Sequence, residues 1–533
     1  MKNWKRIAAM GMTAAMLLGC LSGCGGTPQG ETAQGGTAQD SASQGTADTG
    51  AQTGKQEEPS SGSAGAEPGE KITLKWYMAG SGPQADVEAV QDAVDQYLLD
   101  TYNMNIDLQI VATDYANYPQ KMQMIISSGE EFDICWTSNW NNNYYDNVNK
   151  NAYLELDELL DAQAPELKAL MDKSVWDGVR VGGKIYGVPN QQIFPKQNYV
   201  VIVKEYADKY NLNPDEVKTL ADLEDFFLQV KADNPDIYPF AASSNGLYGK
   251  LNLMLGYEGI INVKIPGVLR LGDDSLQVIN QYEELDSLKD FYGMMYRWQQ
   301  EGLVRKDALT VADNAVPDMK AGKHIAAVNA TFKPGVEVTE ESNFGGKECI
   351  FIMLSDPYLA TESLVSSLSS ISRTSRHPEE AMKLLNLVNT DPDLYNLLIL
   401  GVEGVHYTVN ADGTVKTDDS KGYNPNVDWM FGNQFNALIR DGQEADVWEA
   451  TKKLNDSAVN SPALGFAVDT TPITNEIASI SSVVDQYLLS LDTGAVDPAV
   501  VLPEFQEKLK AAGADTIVAE IQKQLDEWAK ANQ

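Results

Sequence analysis

Between Ile72 and Trp136 the two hydrophobic periods alternate in a fixed order, and that alternation limits the folds open to the chain. Ile72-Thr73-Leu74-Lys75-Trp76-Tyr77 is a strand-like run closed by a break at Gly80 to Pro83. Val87, Val90, Val94, Tyr97 and Leu98 then recur at helical spacing. Ile106 to Val111 is the second strand, Pro119 through Ile126 a helix, and Phe132 to Trp136 the third strand. Such an order needs crossover connections, so the expected class is α/β with a parallel-sheet start.

Helical signals return later. Pro378 opens a helix carrying Met382, Leu385 and Val388, and a second helix runs from about Pro392 to a stop at Gly401. Thr471-Pro472 precedes a long stripe of Ile473, Ile477, Ile480, Val484, Tyr487, Leu488 and Leu491, and a last helix presents Ile517, Ile521, Leu525 and Trp528. These stripes read as core. The stretch from about Lys71 to Gln533 has room for two lobes of ordinary domain size.

At the N-terminus, Lys2, Lys5 and Arg6 precede an apolar run from Ile7 to Leu18 and then Leu21-Ser22-Gly23-Cys24. The run is too short for a stable membrane span, and small residues before a cysteine suit the lipoprotein signal peptidase. Residues 1–23 therefore read as a lipoprotein signal peptide, with Cys24 acylated and holding the mature chain at the outer face of the cytoplasmic membrane. Leu17-Leu18-Gly19-Cys20 is a poorer box, because leucine is bulky two places before the cysteine. Residues 24–70 read as the lipidated cysteine and a disordered Gly/Ser/Thr/Gln tether. A flexible chain of roughly 45 residues has an r.m.s. span of about 35 to 40 Å, a leash suited to a Gram-positive cell surface.

A formal charge of −36, more negative still without Lys2, Lys5 and Arg6, argues against a nucleic-acid partner, since phosphate binding needs a basic footprint. Cys135 and Cys349 both sit in strand-like apolar runs; two buried free thiols are expected, with a disulfide as the alternative. The three histidines lie far from ligand spacing to any cysteine, and no phosphate loop, nucleophile elbow or zinc helix occurs, so no metal, cofactor or enzyme chemistry is implied. Asn147 to Glu158 resembles a calcium loop in spacing, but Ala152 stands where the turn needs glycine and Asn147 replaces the first carboxylate.

Aromatics and amides gather where strands should end: Trp76 and Tyr77 close the first, and Trp136-Thr137-Ser138-Asn139-Trp140-Asn141-Asn142-Asn143-Tyr144-Tyr145 follows the third. In open α/β sheets, ligands collect beyond the carboxyl ends of strands. Indole and phenol faces stack on the C–H faces of a sugar ring, while Asn, Ser and Thr satisfy its hydroxyls. Any single aromatic here is read either as core or as cleft; the polar character of the whole run favours a cleft.

Several segments together resemble the family 1 extracellular solute-binding proteins of ABC importers, in particular carbohydrate-binding lipoproteins of Gram-positive type: Ser127-Ser128-Gly129-Glu130-Glu131-Phe132-Asp133-Ile134, Gly183-Lys184-Ile185-Tyr186-Gly187-Val188-Pro189, and Lys320-Ala321-Gly322-Lys323-His324-Ile325-Ala326-Ala327. Asn396 to Tyr407 and the end from Leu509 onward are similar to the subset with a C-terminal domain of unknown function. The resemblance implies a type II periplasmic-binding-protein fold, with lobe one at about 71–190 and 325–400, lobe two at about 195–320, residues 401–533 completing the lobes, and Gln191 to Tyr199 as the first crossover. It implies cleft positions at Trp76, Tyr77, Trp136, Asn139, Trp140, Asn190, Gln191, Asn329, Glu403, Tyr407 and Trp429, with Glu403 either accepting from sugar hydroxyls or capping structure. The function it implies is a monomeric receptor that delivers an oligosaccharide to ABC permease transmembrane subunits. A surface glycan-active enzyme and a sensory or adhesive binder are the alternatives.

Overall fold

The computed structural model describes residues 70–531. The expected signal peptide over residues 1–23, Cys24 with its acyl chain, and the tether up to residue 69 lie outside the described residues.

Strand β1 (Ile72–Gly80) and helix α1 (Val87–Tyr102) open the fold, followed by β2 (Ile106–Asp114), α2 (Tyr118–Ser128), β3 (Ile134–Thr137) and β4 (Val188–Pro189). Helix α1 buries Val90, Val94 and Leu98, one turn apart, and ends where Asn103 takes a φ of 54° and its N–H reaches the carbonyls of Leu98 and Leu99. Helix α2 carries Pro119 in its first turn and stops at Gly129, φ 70°. Strands β1, β2 and β3 are parallel, with Trp76 in register with Ile110 on one side and Ile134 on the other.

Residues 190–198 cross to a second lobe, where β5 (Tyr199–Val203) is the middle strand of an antiparallel sheet with β6 (Ala326–Asn329) and β7 (Cys349–Met353). Strand β8 (Tyr358–Leu359) brings the chain back, and β9 (Leu368–Ile371) inserts antiparallel between β3 and β4 to give the order β2-β1-β3-β9-β4. Helices α3 (Pro378–Thr390) and α4 (Pro392–Leu400) follow. Asp391 caps α4 by accepting from the N–H groups of Asp393 and Leu394, and also accepts from the Tyr97 and Tyr102 hydroxyls at 2.8 and 2.7 Å. The helix stops at Gly401, φ 79°, where a Cβ would come 2.5 Å from His406 Nδ1; only glycine fits.

A third crossing, β10 (Val459–Asn460), runs parallel to β8, and Lys196 of the first crossing bridges to Tyr358. The three crossings form one narrow ribbon between the lobes. Beyond it, α5 (Thr474–Asp492) and α6 (Ala514–Ala531) bury Ile480, Val484, Leu488, Leu491, Ile517, Ile521 and Leu525 in lobe two.

The molecule is thus α/β, with two lobes and a separate apolar core in each. One core draws on residues 74–188 and 364–437, the other on 199–354 and 463–525. This corrects the expected boundaries. Residues 325–354 belong to lobe two, because β6 and β7 pair with the two edges of β5, and Tyr407, Tyr423, Met430 and Phe431 complete the core of lobe one. Among the described residues, Cys135 in lobe one and Cys349 in lobe two are free and buried. Asn147 is turned inward, donating to Asn142 Oδ1 at 2.8 Å and to the Tyr153 hydroxyl at 3.0 Å, which takes its side chain into the core of lobe one.

Candidate functional site

Beyond β3 the chain makes a tight polar turn. Ser138 Oγ accepts from Asn141 N at 2.8 Å and donates to Asn141 O at 2.7 Å, and Asn143 caps the next helix by accepting from Asp146 N at 3.0 Å. The turn leaves Trp140 at its crest, 55 % exposed, with its indole N–H donating to Ser366 O at 3.0 Å. An exposed indole held by a hydrogen bond is a fixed apolar surface in water.

Trp140 is part of a group. Its ring lies 5.3 Å from that of Trp136, 6.2 Å from Trp429 and 6.2 Å from Tyr115, the last two tilted by 34° and 32°. Trp136 is fully buried and sits edge-on to Trp429 at 5.7 Å, so it serves as the pedestal of the shelf. Its N–H donates to Ser367 Oγ at 3.0 Å. The same hydroxyl accepts from Asn190 Nδ2 at 2.9 Å and donates to Trp429 O at 3.0 Å, which uses its one donor and both acceptor positions. Asn190 is held in turn: its Nδ2 also reaches Met430 O at 2.9 Å, and its Oδ1 accepts from Ser369 Oγ. Asn139 stands alongside, donating to Glu362 O at 2.9 Å, while the Glu362 carboxylate pairs with Lys196 of the first crossing at 2.6 Å.

The other predicted positions lie elsewhere. Trp76 is fully buried with its ring edge-on to Phe431 at 5.5 Å, and Tyr77 packs edge-on to Phe132 at 5.7 Å beneath the Lys121 ammonium. Both are core residues, because β1 continues to Gly80 and leaves them in mid-strand rather than at its carboxyl end. Burial also raises the Tyr77 phenol above its ordinary pKa. Gln191 is buried beside the shelf segment, its carbonyl accepting from Gln434 N at 2.8 Å and its Nε2 without a partner among the described residues. Asn329 ends β6 in lobe two and donates to Glu340 Oε1, which also accepts from the Tyr199 hydroxyl at 2.7 Å. Glu403 is exposed and bridges to the buried Tyr407 at the start of a small hairpin in lobe one.

Sequence reasoning missed Tyr115, Ser366 and Ser367. The serine-rich run Ser363 to Ser372 was the available signal, but serine has no hydrophobic period that reveals which hydroxyl turns inward. A cavity of about 270 Å³ adjoins Trp429, and a larger one of about 990 Å³ lies between Lys173 and Arg180 of lobe one and Phe466 and Trp528 of lobe two.

Residues 81–393 match the bacterial extracellular solute-binding protein family. The chain belongs to that family. Residues 462–530, which include all of α5 and all but the last residue of α6, match a domain of unknown function. Across 536 aligned residues the chain is 27 % identical to a carbohydrate ABC transporter substrate-binding protein of Streptococcus pneumoniae serotype 4, covering 99 % of each. It is similar in structure to the N-glycan transport solute binding protein (NgtS) of Streptococcus pneumoniae, with a TM-score of 0.76 at 26 % identity over 86 % of this chain and 100 % of that one. Against the same protein in complex with Man5GlcNAc the TM-score is 0.67, over 86 % and 99 %. The family makes this an extracellular solute-binding protein.

Proposed function

We propose that this protein captures an oligosaccharide between its lobes and delivers it to the transmembrane subunits of an ABC permease. The observation that carries this reading is the shelf of Trp140 and Trp429 on the Trp136 pedestal: the Trp140 indole is too exposed to serve a core and too firmly held to be incidental surface, and the half-buried Trp429 ring extends it. The pneumococcal relatives, one termed a carbohydrate transporter component and one solved with Man5GlcNAc, support the ligand class. In this reading the protein is a receptor rather than an enzyme, acts as a monomer, and is held at the outer face of the membrane by an acyl chain on Cys24.

Thermal-shift and calorimetric screening against neutral and acidic oligosaccharides tests the proposal. A ligand at a hundred times its dissociation constant should add about 2.7 kcal/mol of stability. Binding should perturb tryptophan emission and reduce the radius of gyration; a panel without a single binder sinks the reading. Mass spectrometry of the membrane fraction tests the anchor separately, and acylation at Cys20 instead of Cys24 would reassign it.

A further inference from the structure

The cavity of about 270 Å³ beside Trp429 is built from both lobes. Lobe one contributes Asp428, Trp429, Arg440, Gln443 and Trp448, and lobe two contributes Lys333. At its rim the lobes touch closely: a Cβ on Gly335 would come 3.0 Å from both Gln443 Nε2 and Val447 Cγ2. Drug-sized ligands occupy about 300–1,000 Å³, so this volume corresponds to a single sugar ring rather than a long segment. The indoles of Trp429 and Trp448 supply apolar walls for such a ring.

Its charge is the informative feature. Asp428 is engaged by Arg440, whose Nη2 lies 2.9 Å from each carboxylate oxygen, so these two cancel. The Lys333 ammonium has neither a carboxylate within salt-bridge distance nor a hydrogen-bond partner among the described residues; burial holds it below its ordinary pKa, and the more distant charge of Asp428 opposes that only in part. One positive charge therefore remains on a half-buried side chain between the lobes of a chain whose formal charge is −36. An unpaired cation withdrawn from water is costly. The long-range field of so acidic a molecule also repels anions, so any anionic group it binds must meet a local cation.

We infer that this cavity receives a carboxylate-bearing sugar unit at one end of the bound oligosaccharide, with Lys333 as the partner of that carboxylate. The inference rests on the oligosaccharide reading of the indole shelf and narrows its substrate class from oligosaccharides in general to acidic glycans. Two kinds of sugar supply such a carboxylate, uronates and sialates.

The test is calorimetry on the full chain with matched pairs: a sialylated N-glycan against its desialylated form, and a glucuronate-terminated oligosaccharide against its glucose-terminated counterpart. One acidic member should bind about tenfold more tightly than its neutral match, the scale of one charge-assisted hydrogen bond. That preference should shrink with added salt and vanish in Lys333→Met. Which pair shows it identifies the source of the carboxylate. Equal or tighter binding of both neutral members overturns the inference. So does an equal loss for acidic and neutral members in Lys333→Met, which would make Lys333 a hydroxyl donor or a closing contact to Asp428. If neutral oligosaccharides bind in a Trp140-dependent way and acidic ones do not, this inference fails alone; if no saccharide binds, the underlying proposal fails with it.

Discussion

Ser367 Oγ accepts the indole N–H of Trp136 at 3.0 Å across 231 residues of sequence, and the same hydroxyl donates to the carbonyl of Trp429. One buried serine thus fixes the pedestal of the shelf and the backbone of its second indole. Replacing it with alanine strands the Trp136 donor and removes one of the two acceptors of Asn190 Nδ2. Ser367→Ala should therefore destabilise the fold by about 1–3 kcal/mol and weaken saccharide binding although Ser367 is buried. Urea unfolding and calorimetric titration read the two effects; unchanged affinity would separate the shelf from the network beneath it.

The edge-on pair Trp140 and Trp136 should respond differently to truncation. Trp140→Ala removes a half-exposed ring and should cost about 1–3 kcal/mol in binding with little change in stability. Trp136→Ala empties a fully buried site and should cost about 3–5 kcal/mol of stability, affecting binding through that loss. Equilibrium unfolding beside titration on both variants checks the split.

Glu258 of lobe two is buried at 4 % exposure and accepts from the hydroxyl of Tyr358 in the crossing ribbon at 2.7 Å. Burial pushes its carboxyl up to about 7; Glu362 adds to the rise, while hydrogen bonds from Ser461 and Tyr358 and the charge of Lys196 oppose it. A raised carboxyl favours the protonated folded state, so the stability it contributes is fully present below about pH 4.5 and is lost as pH climbs towards 7. Glu258→Gln should gain on the parent across that window, by about 3 kcal/mol in total. Melting temperatures of both proteins from pH 4.5 to 8 test this; a constant difference would show that Glu258 does not titrate there.

Burial pushes the thiols of Cys135 and Cys349 up to about 12. Both should resist iodoacetamide at pH 8 in the native protein and react in denaturant, because the thiolate is the nucleophile. Peptide mapping after brief alkylation reads each site, and native modification of Cys135 would mean that lobe one opens locally.

Much of lobe one was legible in the sequence. Hydrophobic period and terminal residues are local properties, so β1, α1, β2, α2 and β3 fell where Ile72 to Trp136 placed them, and Pro378, Pro392 and Gly401 marked their helices. Trp76 and Tyr77 show where a local signal misleads. The expected strand stops at Tyr77, yet the buried Met78 and Ala79 extend the apolar run and pairing with β2 carries β1 on to Gly80, which leaves both aromatics in mid-strand.

Lobe membership could not be read locally. Ala326 to Asn329 would suit either core, and only its register against β5 assigns it to lobe two. Burial is likewise a property of the assembled surface: Trp136 and Trp140 stand four residues apart, one fully enclosed and the other 55 % exposed. Sequence by itself determined the α/β order of lobe one and the kind of side chains offered for binding. Tertiary structure decided which of them meet, because Ser367, Asn190, Trp136 and Trp429 come from four distant segments and share one hydrogen-bond network only once β9 lies between β3 and β4.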